Sequence, residues 1–301
     1  MSLTGKTILI TGATGQVASL VVKALAPHNK IYALARFSKE GDEQSMVDAG
    51  AIPIKLDLSG DDFSAIPDDL DFVLNYAVVK TGDFDYDLKA NAEGVGKLML
   101  ACRDVEAFVH FSSTAVYEYG GHEPRKENAP LGDNHRLMFP TYSISKIAAE
   151  TVVRFTANAF DIPTTIARLS VPYGDNGGWP FFHLLMMKEG IPIDIHPDGP
   201  NTYNPLHSED YIAKIPGLLA AASTPAQTTN FGGSDAVSIE QWCAYLSELT
   251  GFEPIFNQEP KAFGALAIDT EKMHSLIGET AVPWKEGMRR MIENLSPELL
   301  K

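Results

Sequence analysis

The chain has 301 residues, 45% hydrophobic and 21% charged, a composition that supports one large α/β domain or two small ones and excludes a disordered or low-complexity protein. A formal net charge of −15, with a pI of about 4.9 and no Lys/Arg-rich run, repels the phosphates of nucleic acids and anionic lipids, so neither is expected as a partner. Two cysteines, Cys102 and Cys243, fit no metal spacing, and the apolar run Thr7–Thr11 is too short for a membrane span or signal core, so the simplest expectation is a cytoplasmic protein acting on a small-molecule substrate.

The first two-thirds alternates short apolar runs with longer amphipathic ones, which predicts a doubly wound parallel sheet of Rossmann type. The first predicted strand, Lys6–Thr11, enters a turn at Gly12-Ala13-Thr14-Gly15 that opens a helix over Gln16–Leu25. Glycines there allow a tight turn and let backbone N–H groups approach a pyrophosphate, while the helix N-terminus adds partial positive charge. Ala18 stands where a small residue permits close helix–strand packing. Gly12, Thr14, Gly15, Gln16 and Val17 are therefore candidate dinucleotide contacts. A second Gly-x-x-Gly, Gly174 to Gly177, lies in a Pro- and Asn-rich stretch and reads as loop.

The second strand, Lys30–Ala35, ends in Arg36-Phe37-Ser38-Lys39, with no acid to accept hydrogen bonds from the ribose of NAD. A guanidinium at Arg36 suits a 2′-phosphate and favours NADP, with NAD as the alternative; a solvated arginine at a strand end is the plainer reading. A helix over Lys39–Ala49 and a strand over Ala51–Lys55 follow. Asp57, beside Leu58, either accepts from an adenine amino group or caps the next turn. The fourth strand, Phe72–Tyr76, leads into Ala77-Val78-Val79, where a cofactor can cross the sheet edge, and a helix spans Tyr86–Arg103.

The fifth strand, Ala107–Ser112, delivers Ser113 and Thr114 to the carboxyl edge, where doubly wound folds place ligands. Tyr142-Ser143-Ile144-Ser145-Lys146 then opens a helix that runs to Ala159. On a helix, residues i and i+4 share a face, so phenol and ammonium can act on one substrate. A positive charge about 4 Å away at an effective dielectric of 20 is worth roughly 4 kcal/mol, about three pKa units, enough to bring a phenol near working pH. Tyr76 and Lys80 repeat the spacing, but at a strand end, where i and i+4 lie about 13 Å apart.

After the sixth strand, Thr164–Leu169, Pro, Gly, Asn and aromatic residues accumulate. We expect a helix at Phe181–Lys188, a loop at Pro197–Pro205, a strand at Thr228–Phe231 and a helix at Ser238–Thr250. The expected division is a dinucleotide domain of residues 1–170 plus about 206–250, with a small interleaved substrate lobe of about 171–205 and 251–301. Tyr119, Trp179, Phe181, Phe182 and Tyr203 suggest an apolar pocket, whereas most of Phe181–Met187 also reads as buried helix. His207 reads as a cap before a helix near Asp210. No Gly-x-Ser-x-Gly and no zinc-type histidine spacing occurs, so no metal is expected.

Together these motifs resemble the extended short-chain dehydrogenase/reductases, the epimerase/dehydratase group. The resemblance rests on Thr11–Gly15, Asp57, Asn91-x-x-Gly94, Ser113 with Tyr117, Tyr142-x-x-x-Lys146, Arg168 followed by Tyr173-Gly174, and His207-x-x-Asp210. It implies that Tyr142 transfers the proton, that Lys146 lowers its pKa and holds the nicotinamide ribose, and that Ser113 hydrogen-bonds the reacting oxygen. It extends the cofactor contacts to Asn91, Ser112, Tyr142 and Lys146, and the substrate contacts to Thr114, Tyr173, Trp179 and Tyr203. It also implies a homodimer through the helices at Tyr86–Arg103 and Tyr142–Ala159.

The departures narrow the chemistry. Thr114-Ala115 replace the Asp-Glu pair of the dehydratases, and Val171 and Tyr203 replace an amide and a cation that nucleotide-sugar members use. The expected reaction is reversible hydride transfer between NADP(H) and a ketone or secondary alcohol. A nucleotide-sugar epimerase working through a keto intermediate is the alternative. A non-catalytic NAD(P)-sensing module fits less well, because Tyr142 and Lys146 are both retained.

Overall fold

Buried aliphatic runs form the strands, as the two-sided burial of a parallel sheet requires, in a computed structural model that describes residues 3–301. In chain order the first part comprises β1 (Thr7–Thr11), α1 (Gln16–Leu25), β2 (Lys30–Ala35), α2 (Asp42–Asp48), β3 (Ile52–Lys55) and β4 (Phe72–Asn75). Next come α3 (Phe84–Leu88), a π-helical turn (Lys89–Glu93), α4 (Gly94–Ala101), β5 (Ala107–Ser113), α5 (Tyr142–Phe160) and β6 (Thr164–Leu169). The remainder is β7 (Pro172–Gly174), β8 (Gly177–Gly178), α6 (Trp179–Glu189), β9 (Ile193–Ile195), β10 (Thr202–Tyr203), β11 (Leu206–His207), α7 (Ser208–Ala213) and α8 (Ile215–Ala220). It closes with β12 (Gln227–Phe231), β13 (Val237–Ser238), α9 (Ile239–Thr250), β14 (Phe256–Gln258), α10 (Glu271–Ile277) and α11 (Trp284–Leu295).

The main sheet is all parallel, ordered β12-β6-β5-β4-β1-β2-β3. Chain direction across it reverses between β1 and β4, so a crevice opens at the carboxyl ends of those strands. Alternation along β1 sends Ile8 and Ile10 to one face, against α1, α7 and α8, and Leu9 to the other, against α4 and α5. A third apolar cluster, centred on Trp242, Leu246, Met288 and Met291, forms the small lobe. Because α9 packs there with α6 and α11, we propose that the lobe takes in residues 239–250, which the expected division assigned to the sheet domain. No helix among the described residues is long and apolar enough to cross a membrane.

Two expected elements differ. The helix foreseen over Tyr86–Arg103 is three pieces, because a π-helical turn interrupts it at Lys89–Glu93. That turn precedes two glycines used for close packing: a Cβ at Gly94 would lie 2.5 Å from the Leu58 carbonyl oxygen, and one at Gly96 2.8 Å from Val152 Cγ1. The Pro197–Pro205 segment, expected as loop, contains β10, which pairs antiparallel with β13.

An ion pair holds the sheet to α5. Arg168 on β6 and Glu150 on α5 are each 1% exposed, with Nε–Oε1 at 2.9 Å and Nη2–Oε2 at 2.7 Å. Arg168 also donates to the Glu127 carbonyl at 2.9 Å and lies 4.8 Å over the Tyr117 ring, while Ser112 donates to Glu150 at 2.6 Å. Removing one partner of such a pair strands a buried charge. Glu150→Ala is therefore expected to lower unfolding stability by about 3–5 kcal/mol, read as a fall in urea midpoint at unchanged m-value. A loss below about 1 kcal/mol would show that water reaches Arg168.

Candidate active site

A cavity of about 180 Å³ lies at the carboxyl ends of β1, β2 and β4, lined by the glycine turn, Arg36, Asp57, Leu58, Ala77, Val78, Val79 and Asn91 among others. Its floor requires glycine: Gly12 has φ of 64°, and a Cβ there would sit 2.9 Å from the Ala77 backbone. Behind it a buried polar ladder crosses three strands. Thr11 donates to Asn75 Oδ1 at 2.5 Å, Asn75 meets His110 at 2.9 Å, and the Ala77 N–H donates to Thr11 Oγ1 at 3.2 Å. Gly15 caps α1 and Thr14 lines the cavity, whereas Gln16 reaches away to the Asn176 carbonyl at 3.4 Å; Val17 packs against the sheet core.

At the far end Arg36 donates to the Tyr86 hydroxyl at 3.2 Å, and Tyr86 donates to Asp57 Oδ2 at 3.0 Å. Asp57 also accepts from the Ser59 N–H at 2.9 Å, so the turn-capping alternative is realised alongside its place in the cavity wall. Burial alone would raise its carboxyl; the bonds from Ser59 and Tyr86 and the Arg36 charge hold it below the usual range. Tyr86 escaped sequence reading because nothing in its neighbours points 29 residues back to Asp57.

Asn91 borders the cavity, but its side chain is fully engaged. It accepts from the Val79 N–H at 2.8 Å and donates to the Val79 carbonyl at 2.7 Å and to Ser145 Oγ at 3.1 Å. It braces the cavity wall against α5. The Ser112 hydroxyl is likewise engaged, donating to Glu150 Oε1 at 2.6 Å.

Ser113 at the end of β5 and Tyr142 at the start of α5 come together, and Ser113 Oγ accepts from the Ala115 N–H at 3.1 Å. The expected depression of the Tyr142 phenol by Lys146 is not what this geometry produces. Desolvation raises the phenol above its ordinary value, and the hydrogen bond with Ser113 offsets only part of the rise. Lys146 shares the helix face, but its ammonium turns inward and donates to the Phe111 carbonyl at 2.8 Å. It is 4% exposed, and burial lowers its pKa to about 8 against the opposing charge of Glu150. The discounted pair behaves as strand geometry requires: Tyr76 stacks on Phe111 at 3.7 Å, while Lys80 lies over the Phe139 ring at 4.2 Å.

Aromatic groups surround the phenol. His135 and Phe139 lie 6.0 and 6.2 Å from the Tyr142 ring, and His135 stacks on Phe263 at 4.0 Å. Burial, with the Lys80 charge, lowers the His135 pKa to about 4, so the ring is neutral at pH 7. Beside it a second cavity of about 160 Å³ is bordered by Tyr119, His135, His196, Lys261 and Phe263. Of the expected substrate residues, Trp179 backs Phe263 and Tyr203 donates to the Gly264 carbonyl at 2.7 Å, so both support this wall from behind. Thr114 is buried beneath the site, and Tyr173 lies in the small-lobe core against His207, bordering neither cavity. Phe182 points outward, 60% exposed. The wall residues His135 and Phe263 lie in segments without periodicity and left no sequence signal. Among the described residues no group of three or more His, Cys, Asp or Glu could hold a metal ion.

The sequence profile described as "NAD dependent epimerase/dehydratase family" matches residues 8–231. A trifunctional UDP-glucose 4,6-dehydratase/UDP-4-keto-6-deoxy-D-glucose 3,5-epimerase/UDP-4-keto-L-rhamnose-reductase of Arabidopsis thaliana is 27% identical over 96% of this chain, which spans 47% of that protein's length. The dTDP-D-glucose 4,6-dehydratase of Homo sapiens is 24% identical over 96% of this chain and 89% of its own. The fold matches the UDP-glucuronic acid 4-epimerase of Bacillus cereus, solved with UDP-glucuronic acid and NAD, with a TM-score of 0.82 at 22% identity over 97% of this chain and 99% of that one.

The Lys146 shift is directly measurable. The folded state gives up this proton at lower pH than the unfolded chain does, so the cost of burying the charge is full below about 8 and is relieved as pH rises towards 10.5. NMR of reductively ¹³C-methylated protein should show one lysine titrating near 8 and missing from Lys146→Met. A Lys146 midpoint above 10 would contradict the burial.

Proposed function

From the premise that this chain belongs to the NAD-dependent epimerase/dehydratase family, we propose that it catalyses reversible hydride transfer between a nicotinamide dinucleotide and a ketone or secondary alcohol. The observation that carries this reading is the meeting of Ser113, at the end of β5, with Tyr142, at the start of α5, whose phenol desolvation raises above its ordinary value. Ser113 hydrogen-bonds the carbonyl oxygen and Tyr142 gives that oxygen its proton as hydride reaches the carbonyl carbon, leaving a secondary alcohol. A phenol raised above its ordinary value is protonated at neutral pH, as the acid's part in reduction requires. Lys146, half charged near pH 8, lies one turn along the helix with its ammonium on the Phe111 carbonyl at the end of β5.

The residues present fit the dinucleotide. Gly12, Thr14 and Gly15, which line the cavity at the N-terminus of α1, would hold the pyrophosphate. Arg36 and Asp57 would take the adenosine end, Ala77 to Val79 the middle, and Tyr142 and Lys146 the nicotinamide ribose. The bound dinucleotide supplies or accepts the hydride. Arg36, exposed at the end of β2 where the chain carries no acid, favours the 2′-phosphorylated form, although Asp57 lies near it through Tyr86 and the Bacillus cereus enzyme was solved with NAD.

Elimination of water lacks its acid and base, since Thr114 and Ala115 carry no carboxylate and both are buried. Nucleotide-sugar epimerisation is the second reading, favoured by the whole-chain fold likeness. Two positions weigh against it. Val171 has φ of 22°, in a region that asparagine tolerates far better than a β-branched residue, and Tyr203 brings a buried hydroxyl where a cation would serve a diphosphate. The experiment titrates NAD and NADP by fluorescence, then screens acetophenone, cyclohexanone and UDP-glucose for turnover. Tighter NADP binding, ketone reduction and a Tyr142→Phe variant that binds cofactor yet loses about 100-fold or more in kcat are expected. A preference for NAD with epimerisation of UDP-glucose would replace this reading with the second.

The assembly in this reading is a homodimer through the outer faces of α4 and α5, where Leu100 and Phe155 are 42% and 70% exposed. Sedimentation velocity should find a dimer that Phe155→Asp converts to monomer. A monomeric parent protein would reject the interface.

A further inference from the structure

The geometry points to Asp87, on α3, as a positioning residue for Tyr142, an inference that rests on the proton-transfer reading above. Asp87 is 0% exposed, and no ion pair among the described residues reaches it. Its carboxylate instead gathers four donors. These are the Thr81 N–H at 2.9 Å, Thr81 Oγ1 at 2.7 Å, the Gly82 N–H at 3.1 Å and Thr141 Oγ1 at 2.6 Å. An acceptor-only group suits this ring, because the Thr81 and Gly82 N–H groups cannot accept, and an asparagine N–H₂ could be met only if a threonine hydroxyl reversed its bond. Those bonds, against the rise that burial alone would cause, hold the carboxyl below its ordinary range.

Thr141 is the residue before Tyr142. It occupies the N-cap position of α5, yet its side chain makes no capping bond to its own helix. The hydroxyl is directed to Asp87. One turn on, Ser145 accepts from Asn91, four residues along from Asp87. The first turn of α5 is thus held on both sides of Tyr142 by the segment 87–91. The same carboxylate holds Thr81 and Gly82, and Asn91 clamps Val79 in the cavity wall. Asp87 therefore ties the segment just beyond the cavity wall to the turn that carries the phenol, and Asn91 holds the wall itself at Val79.

Misplacing a reacting group by about 1 Å through a remote change can cost about 100-fold in rate. Asp87→Asn is expected to lower kcat by about 10- to 100-fold on whichever ketone of the panel is reduced, while the Kd for NADPH stays within about threefold. Thr141→Val should reproduce most of that loss and Thr141→Ser should restore it. The double variant Asp87→Asn/Thr141→Val should lose no more than Asp87→Asn alone, because both remove one linkage. Amide hydrogen exchange at residues 141–146, read without substrate, should rise about tenfold or more in Asp87→Asn. If Asp87→Asn does not fold, Thr141→Val, which removes one bond of four, carries the test. Unchanged kcat and unchanged exchange in these variants, with Tyr142→Phe inactive, overturns the inference. Full turnover in Tyr142→Phe defeats the proton-transfer reading itself, and exchange at 141–146 still decides whether Asp87 anchors the turn.

Discussion

A charge pair out of reach of water, Glu150 with Arg168, is the constraint on which the arrangement of this site depends. Desolvating two ions is favourable only if each finds its full set of partners, and here those partners come from separate elements: Ser112 on β5, Arg168 on β6, the partly exposed Arg154 on α5 itself, the Glu127 backbone, and the face of Tyr117. The pair can form only when α5 lies in one rotation and at one height over the sheet. Glu150 stands one turn beyond Lys146 and two beyond Tyr142, so the same constraint fixes where both meet the end of β5. A helix held by apolar contacts alone could slide with much smaller penalty.

The electrostatics of the site follow from burial more than from charge pairing. The chain carries −15, yet the cavity at the carboxyl edge presents glycine backbone, a helix N-terminus and Arg36, which act locally against that field. Tyr142 and Lys146 are both pushed towards their neutral forms by desolvation, the phenol upward and the ammonium down to about 8. At neutral pH that leaves a proton on the phenol and a cation one turn away that can be neutralised at little cost.

The small lobe supplies shape. Tyr203 and Trp179, read from sequence as possible substrate contacts, hold Phe263 and Gly264 in place so that Phe263 and His135 form the surface beside the phenol. An aromatic wall of this kind, beside a cavity of about 160 Å³, leaves room for a compact apolar body. Tyr173, whose hydroxyl reaches the Trp284 carbonyl, belongs to the packing that carries the lobe.

Local chemistry was legible in the sequence by itself. The strands, the Gly12–Gly15 turn, the helix opening at Tyr142 and the strand-end position of Tyr76 and Lys80 all depend on residues within a few positions of one another, where periodicity and turn preferences act. The π-helical break at Lys89–Glu93 was not legible, because it is selected by glycines packing on Leu58 and Val152 from distant segments. Only the tertiary structure decided that Lys146 reaches the Phe111 carbonyl, that Arg36 shares Tyr86 with Asp57, and that Asp87 and Asn91 brace α5. Those outcomes turn on desolvation and on which donors arrive from 12 to 54 residues away. A residue's own neighbours in the chain carry no record of either.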